Sequence, residues 1–88
     1  MKILVTGSSG FIGFHLSNFF LKKGYRVLGL DNHNNYYSPK IKNKRLYLLK
    51  KKRNFKFIKM DITNLKSLEK SFKGFLPDIV FHLAGQPG

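Results

Sequence analysis

Cysteine is absent from this 88-residue sequence, long apolar runs are missing, and acidic residues are few. The lack of cysteine excludes disulfide bonds and any metal site built on thiolates. The three histidines, His15, His33 and His82, are scattered without the spacing of metal ligands, so we expect no metal site. No apolar run approaches the ~20 residues that span a bilayer, and the start of the chain lacks the features of a signal peptide. We therefore expect a cytoplasmic protein without a membrane span.

The scarcity of acids leaves the chain strongly basic. Seventeen lysines and arginines face four acidic residues, which gives a net charge of +13, and ten of the basic residues lie between Lys40 and Lys59. Such a cluster can attract the phosphates of nucleic acids or anionic metabolites. Because no nucleic-acid-binding motif accompanies it, a solvated helix face is the favoured interpretation and nucleic acid an unlikely partner. A basic nucleic-acid-binding module stays open as an alternative.

Short apolar runs alternate with longer amphipathic ones, with neither repeats nor low-complexity linkers. The short runs predict strands and the periodic ones predict helices. Gly24, which follows two lysines, is typical of a left-handed cap at the end of a helix. Ser38 and Pro39 are typical of the start of a helix, and Asn64 is typical of an N-cap. In chain order, the predicted elements are strand Ile3–Thr6, helix Phe11–Lys23, strand Arg26–Leu30, helix Pro39–Lys52, strand Phe55–Lys59, a helix from Asn64 to Gly74, and strand Ile79–Leu83.

This β-α-β-α-β-α-β order predicts an α/β fold. Strands joined by helices are normally parallel, and right-handed crossovers give a doubly wound, Rossmann-type sheet. In the strand order 3-2-1-4 the fourth strand lies beside the first. Its apolar run, residues 79–81, is typical of a strand covered on both faces, and it also forms an open edge where more chain should follow. We expect residues 1–88 to be the N-terminal, incomplete part of a dinucleotide-binding domain that contains the first four strands only.

The strongest functional signal is Thr-Gly-Ser-Ser-Gly-Phe-Ile-Gly at residues 6–13, between a strand and a helix. Gly7 permits a tight turn, Gly10 permits close approach to a pyrophosphate, and Gly13 permits close packing of helix and sheet. The helix start then directs free N–H groups and a partial positive charge at the phosphates. This context predicts a dinucleotide site rather than a simple glycine-rich turn.

Three further positions fall at the ends of predicted strands. Asp31 can accept hydrogen bonds from the adenosine ribose and would repel a 2′-phosphate, which favours NAD over NADP, although it could also only cap the following loop. Asp61 and Ile62 fall where adenine should lie, but a turn aspartate before a helix is an equal alternative. The small residues of 83–85 would let the backbone approach the middle of the cofactor, or form a plain turn.

Together these motifs resemble the extended short-chain dehydrogenases, the family of NAD-dependent nucleotide-sugar epimerases and dehydratases. The resemblance covers the whole chain. Residues 30–39 and 84–88 are more similar to UDP-glucuronate 4-epimerases, and Pro87 stands where UDP-galactose epimerases usually have lysine. The resemblance implies NAD as cofactor and these binding residues: Gly7, Gly10, Phe11, Ile12 and Gly13 at the pyrophosphate, Asp31, Asn32 and Asn35 at the ribose, Asp61 and Ile62 at adenine, and Leu83, Ala84 and Gly85 near the nicotinamide.

The resemblance further implies a parent enzyme that inverts C4 of UDP-glucuronate through a 4-keto intermediate, and that is a homodimer with a nucleotide-sugar substrate. A related dehydratase, decarboxylase or reductase is the alternative. The family's catalytic Ser or Thr and Tyr-x-x-x-Lys pair fall beyond position 88. Two local matches, Tyr36 to Lys40 and Tyr47 to Lys51, are expected by chance in so lysine-rich a chain. We therefore predict no catalytic residue here and no epimerase activity from this chain alone.

Overall fold

A computed structural model describes residues 1–32 and 39–84 of the chain. The elements follow the predicted order, with boundaries within two residues of those expected. They are β1 (Lys2–Thr6), α1 (Phe11–Lys22), β2 (Arg26–Asp31), α2 (Pro39–Lys50), β3 (Phe55–Lys59), α3 (Leu65–Phe75) and β4 (Ile79–His82). The proposed cap residue Ser38 lies outside the described residues. No helix within the described ranges is long and apolar enough to cross a membrane.

The four strands form one parallel sheet in the order β3-β2-β1-β4. This confirms the predicted fold class and strand order. β1 is central, with Thr6 opposite Leu30 of β2 on one side and opposite His82 of β4 on the other. The carboxyl ends of the strands therefore meet at one edge of the sheet, where ligands bind in open α/β sheets.

Apolar side chains cover both faces of the sheet, as the doubly wound fold requires. One cluster packs against α1 and α2 and includes Ile3, Val5 and Leu49. The other, centred on Leu4 and Leu30, is covered by side chains of α3. The alternation along β1 arises because successive side chains of a strand point to opposite faces.

The start and end of the helices follow local sequence signals. After α1, Gly24 has φ +85°, its N–H bonds the carbonyl of Leu21, and the N–H of Tyr25 bonds that of Phe20. The rings of Phe20 and Tyr25 stack across this cap, so the predicted glycine termination is confirmed as a Schellman motif. The Asn64 side chain accepts a hydrogen bond from the N–H of Ser67 at 3.2 Å, which confirms its N-cap role.

Periodicity predicted α1 correctly but did not identify its buried face. The residues of α1 that are buried are Gly13, Ser17 and Leu21, one face at intervals of four. Phe11 and Phe19 are more than half exposed. Small residues face the sheet because α1 packs close to it at its first two turns.

The fourth strand differs from expectation within the described part of the chain. The apolar run of β4 was predicted to be covered on both faces, but Ile79 is 38% and Val80 41% exposed. Phe81 alone packs into the core, against Phe20 of α1. β4 is an edge strand of this sheet, as the strand order predicted, and an edge strand has fewer elements to cover it.

Candidate functional site

The chain leaves β1 through a tight turn at Gly7. Gly7 has φ +75°, and its N–H donates to the carbonyl of Leu30 at 2.7 Å. A Cβ at this position would lie 3.0 Å from backbone atoms of Leu83 and Ala84. The turn is therefore packed between the carboxyl ends of β2 and β4, and both its conformation and its surroundings require glycine.

The other two glycines hold the start of α1 against this turn. The N–H of Gly10 donates to the carbonyl of Gly7 at 3.1 Å, and Gly10 is the N-cap of α1. A Cβ on Gly13 would overlap the carbonyl oxygen of Gly7 and lie 3.0 Å from Cα of Ser8. Only a hydrogen at residue 13 allows the helix to begin so close to the turn.

The first turn of α1 leaves amide donors without acceptors. No side chain caps the helix, its first turn has no acidic residue, and the first helical hydrogen bond runs from the N–H of Phe14 to Gly10. Within the described residues, no hydrogen bond is made by the N–H groups of residues 11–13. Such donors at the positive end of a helix suit an anionic diphosphate.

Asp31, at the end of β2, fastens this glycine loop to the sheet. It is 4% exposed, and its Oδ2 accepts a hydrogen bond of 3.0 Å from the N–H of Ser9. The carboxylate thus points back to the loop after β1, and a role restricted to capping the following loop is wrong. Asn32 is exposed beside it, and Asn35 lies outside the described residues. Binding of ribose by these residues stays a prediction.

Arg45 of α2 contacts the same loop. Its Nη1 donates to the carbonyl oxygen of Ser9 at 3.3 Å, and its guanidinium lies 5.6 Å from the ring centre of Phe11. No arginine is adjacent to Asp31 in the sequence. In the fold, however, Arg45 contacts Ser9, the residue whose N–H donates to Asp31. Sequence reasoning treated Arg45 only as part of the basic cluster.

Thr6 joins the ends of β1 and β4 through its hydroxyl. Its Oγ1 accepts from the N–H groups of Leu83 at 2.9 Å and Ala84 at 3.1 Å, and lies 2.9 Å from Nδ1 of His82. The N–H of Leu83 also donates to the carbonyl oxygen of Thr6, at 3.1 Å. This network holds residues 83 and 84 against Gly7.

Asp61 forms the turn that leads from β3 to α3. Its Oδ1 accepts from the N–H of Thr63 at 2.9 Å and from its hydroxyl at 2.7 Å. The hydrogen bond from the Thr63 backbone lowers the pKa of Asp61 below its ordinary value, and the hydrogen bond from the Thr63 hydroxyl makes a second, smaller contribution in the same direction. The N–H of Met60 bonds the carbonyl of Asp31, so this turn adjoins the end of β2. The turn role weighed from the sequence is present, while contact of Asp61 and the half-buried Ile62 with adenine stays a prediction.

The remaining expected residues divide between described and undescribed positions. Leu83 and Ala84 are half-buried beside the glycine turn, and Gly85 lies outside the described residues.

Gly29 was missed, although a glycine inside a strand signals close approach of another part of the chain. A Cβ there would lie 2.5 Å from the Ser8 hydroxyl and 2.8 Å from the ring of Phe55, so Gly29 gives the loop space on the sheet.

Neither metal chemistry nor local tyrosine chemistry is assembled in the described residues. No group of three or more potential metal-ligating side chains occurs in them. Tyr47 is 61% exposed on α2, with the ammonium group of Lys51 4.7 Å from its ring centre. Tyr36 lies outside the described residues. The free amides at the start of α1 instead offer a cradle for an anionic nucleotide at the carboxyl edge of the sheet.

Comparisons with known proteins agree with this geometry. A sequence model of the GDP-mannose 4,6-dehydratase family matches residues 4–88. UDP-glucuronate 4-epimerase from Thermodesulfobacterium geofontis is 47% identical over 85 residues, which are 97% of this chain and 26% of that protein. The structure of UDP-glucuronic acid 4-epimerase from Bacillus cereus in complex with UDP-glucuronic acid and NAD has 40% identity and a TM-score of 0.87, and covers 100% of this chain and 27% of that one.

A second enzyme type shares the fold. The structure of dTDP-glucose 4,6-dehydratase from Bacillus anthracis in complex with NAD has 25% identity and a TM-score of 0.84, over 98% of this chain and 27% of that one. The chain spans about a quarter of the length of the relatives and structures that it matches.

Proposed function

The chain belongs to the GDP-mannose 4,6-dehydratase family, and we propose that it is the NAD-binding portion of a nucleotide-sugar 4-epimerase that acts on UDP-glucuronate. The resemblance to extended short-chain dehydrogenases inferred from the sequence is confirmed by this membership and by the epimerase relatives. The observation that carries the proposal is the pairing of a glycine turn with a carboxylate. Gly7, Gly10 and Gly13 shape the cradle, and Asp31 holds it at Ser9.

The residues present fit the cofactor. The amides at the start of α1 are free for a diphosphate, and the absence of Cβ atoms at Gly7 and Gly13 lets the helix begin directly against the turn at the end of β1. The buried carboxylate of Asp31 disfavours a second phosphate on the ribose and so favours NAD over NADP. When bound, NAD can accept a hydride from C4 of the sugar and return it, and the sugar is a 4-ketone between these two transfers. This chain's residues bind and orient; we assign none of them a catalytic role.

A titration with matched variants tests the cofactor assignment. Isothermal titration calorimetry should show binding of NAD by the chain, with NADP bound at least tenfold more weakly. In Asp31→Asn the amide oxygen can still accept from Ser9, but the charge is gone. Loss of a hydrogen bond to a charged group costs about 1.5–3 kcal/mol, so NAD should bind about tenfold more weakly or worse, while the preference over NADP narrows.

The matched control is Asp78→Asn. Asp78 also accepts a hydrogen bond from a backbone N–H, that of Lys2 at 2.7 Å, but it lies at the amino-terminal edge of the sheet. This variant should bind NAD as the unsubstituted chain does. Equal loss in both variants, or no NAD binding by the unsubstituted chain, would contradict the proposal.

The finer features of the parent enzyme are also proposals. We propose a cytoplasmic homodimer that serves polysaccharide biosynthesis, on the basis of the family resemblance. The chain alone should show no turnover of UDP-glucuronate with NAD, and measurable epimerisation would contradict the absence of catalytic residues. A dehydratase remains the second candidate because the matching family model and the Bacillus anthracis structure both bear that activity in their names. Salt-dependent retardation of DNA or RNA in a gel would instead favour the basic-module alternative.

A further inference from the structure

We infer that Arg45 is the positioning residue of the glycine loop, and that it makes the site selective for nucleotides carrying a diphosphate over the bare nucleoside. The inference rests on the proposed NAD-binding function. Ser9, in the centre of the loop, is fully buried. Ser9 is held on two sides, by Asp31 at its N–H and by Arg45 at its carbonyl oxygen.

The peptide unit between Ser9 and Gly10 is the one that Arg45 fixes. Its oxygen accepts from the guanidinium at 3.3 Å, and its N–H donates to the carbonyl of Gly7 at 3.1 Å. The next two N–H groups along the chain, those of Phe11 and Ile12, are two of the three free donors at the helix start. The orientation of this peptide therefore sets the direction in which the phosphate donors point.

Arg45 also reaches the helix itself. Its guanidinium lies 5.6 Å from the ring centre of Phe11, within the range of a cation–π contact. One half-buried side chain from α2 thus contacts both the loop and the first residue of α1. Its planar, permanently charged group suits both contacts better than a lysine ammonium would. Phosphates bound at these amides would gain from the rigid donors and from the nearby positive charge, whereas an adenosine without phosphates would gain from neither.

The test compares ligands with and without phosphates across a variant series. Binding of adenosine, ADP and NAD is measured by calorimetry for the unsubstituted chain, Arg45→Met and Arg45→Lys, with folding checked by far-UV circular dichroism. We expect Arg45→Met to weaken ADP and NAD about tenfold, Arg45→Lys to weaken them about threefold, and both to leave adenosine affinity within twofold. Lys44→Met is the matched control, because Lys44 is an exposed neighbour on α2 and loses the same charge.

The possible outcomes distinguish failure of the Arg45 inference from failure of the proposed NAD-binding function. ADP and NAD affinities within twofold of the unsubstituted chain in Arg45→Met, or an equal loss in Lys44→Met, would overturn this inference alone. A parallel fall of adenosine affinity in the folded Arg45→Lys chain would assign Arg45 a merely structural role and also overturn it. Absence of ADP and NAD binding by the unsubstituted chain would overturn the proposed function, and this inference with it.

Discussion

Replacing Gly13 by alanine should destabilise the fold and disable the phosphate cradle together. The added Cβ would overlap the carbonyl oxygen of Gly7 and lie 2.8 Å from its carbonyl carbon. Both are backbone atoms, so no side chain can rotate away to make room. Alanine normally gains about 1 kcal/mol over glycine within a helix, while overpacking costs about 1–3 kcal/mol or more. Because the clash is with backbone, we expect a net loss of about 2 kcal/mol or more.

That loss is large for a domain of this size, whose total stability is typically about 5–10 kcal/mol. Urea unfolding followed by far-UV circular dichroism measures it as a lower midpoint. In the fraction that stays folded, α1 has to move away from the turn to accommodate the methyl group. NAD affinity measured by calorimetry should therefore fall at least tenfold.

Gly74→Ala is the matched control for this substitution. Gly74 lies within α3, and a Cβ there would have no atom within 4 Å. The same chemical change should then stabilise the chain by about 0.5–1 kcal/mol, because glycine in a helix costs that much relative to alanine. An unfolding midpoint of Gly13→Ala equal to or above that of the unsubstituted chain, or equal losses in the two variants, would refute the reasoning.

Substitutions at two further positions test the Thr6 network and the Asp61 turn. Thr6→Val keeps the side-chain shape but removes the acceptor of the Ala84 N–H and one of the two acceptors of the Leu83 N–H, and should cost about 2 kcal/mol in urea unfolding. Thr6→Ser keeps the hydroxyl and should cost about 1 kcal/mol or less; equal losses would contradict a role for the hydroxyl. Because the folded-state pKa of Asp61 is lowered, its contribution is present above the unfolded value of 3.8 and is lost as pH falls through the folded value. Asp61→Asn should therefore flatten the stability profile below about pH 4, where the carboxylate of the unsubstituted chain becomes protonated, and an unchanged slope there would contradict the assignment.

The sequence predicted those features that depend on local pattern. Alternating runs predicted seven elements in the observed order, and Gly24 and Asn64 marked the helix boundaries because caps depend on neighbouring residues only. The spacing of Gly7, Gly10 and Gly13 predicted the turn, since steric needs at each position are distinct. The strand order 3-2-1-4 was expected from the Rossmann-type fold as a whole and not from any single residue.

Contacts between segments that are distant in the sequence could not be predicted from local sequence patterns. Nothing near Arg45 in the sequence indicates that it reaches Ser9, because that contact depends on how α2 lies against the loop. The use of the Asp31 carboxylate to hold the loop was missed for the same reason. The exposure of Val80 depends on which elements cover the edge of the sheet, and this cannot be inferred from the apolar residues of the strand itself.

The position of β1 between β2 and β4 has a consequence for the folding of the molecule. The hydrogen bond from Lys2 to Asp78 joins residues 76 apart in the sequence. Closing a loop of that length costs about 4 kcal/mol in chain entropy, and such non-local pairing slows folding. During synthesis, β1 can pair with β2 early but must wait for β4 until residues 79–82 have left the ribosome. Since the glycine turn rests on Leu83 and Ala84, competence to hold a nucleotide should be acquired only after β4 has paired with β1.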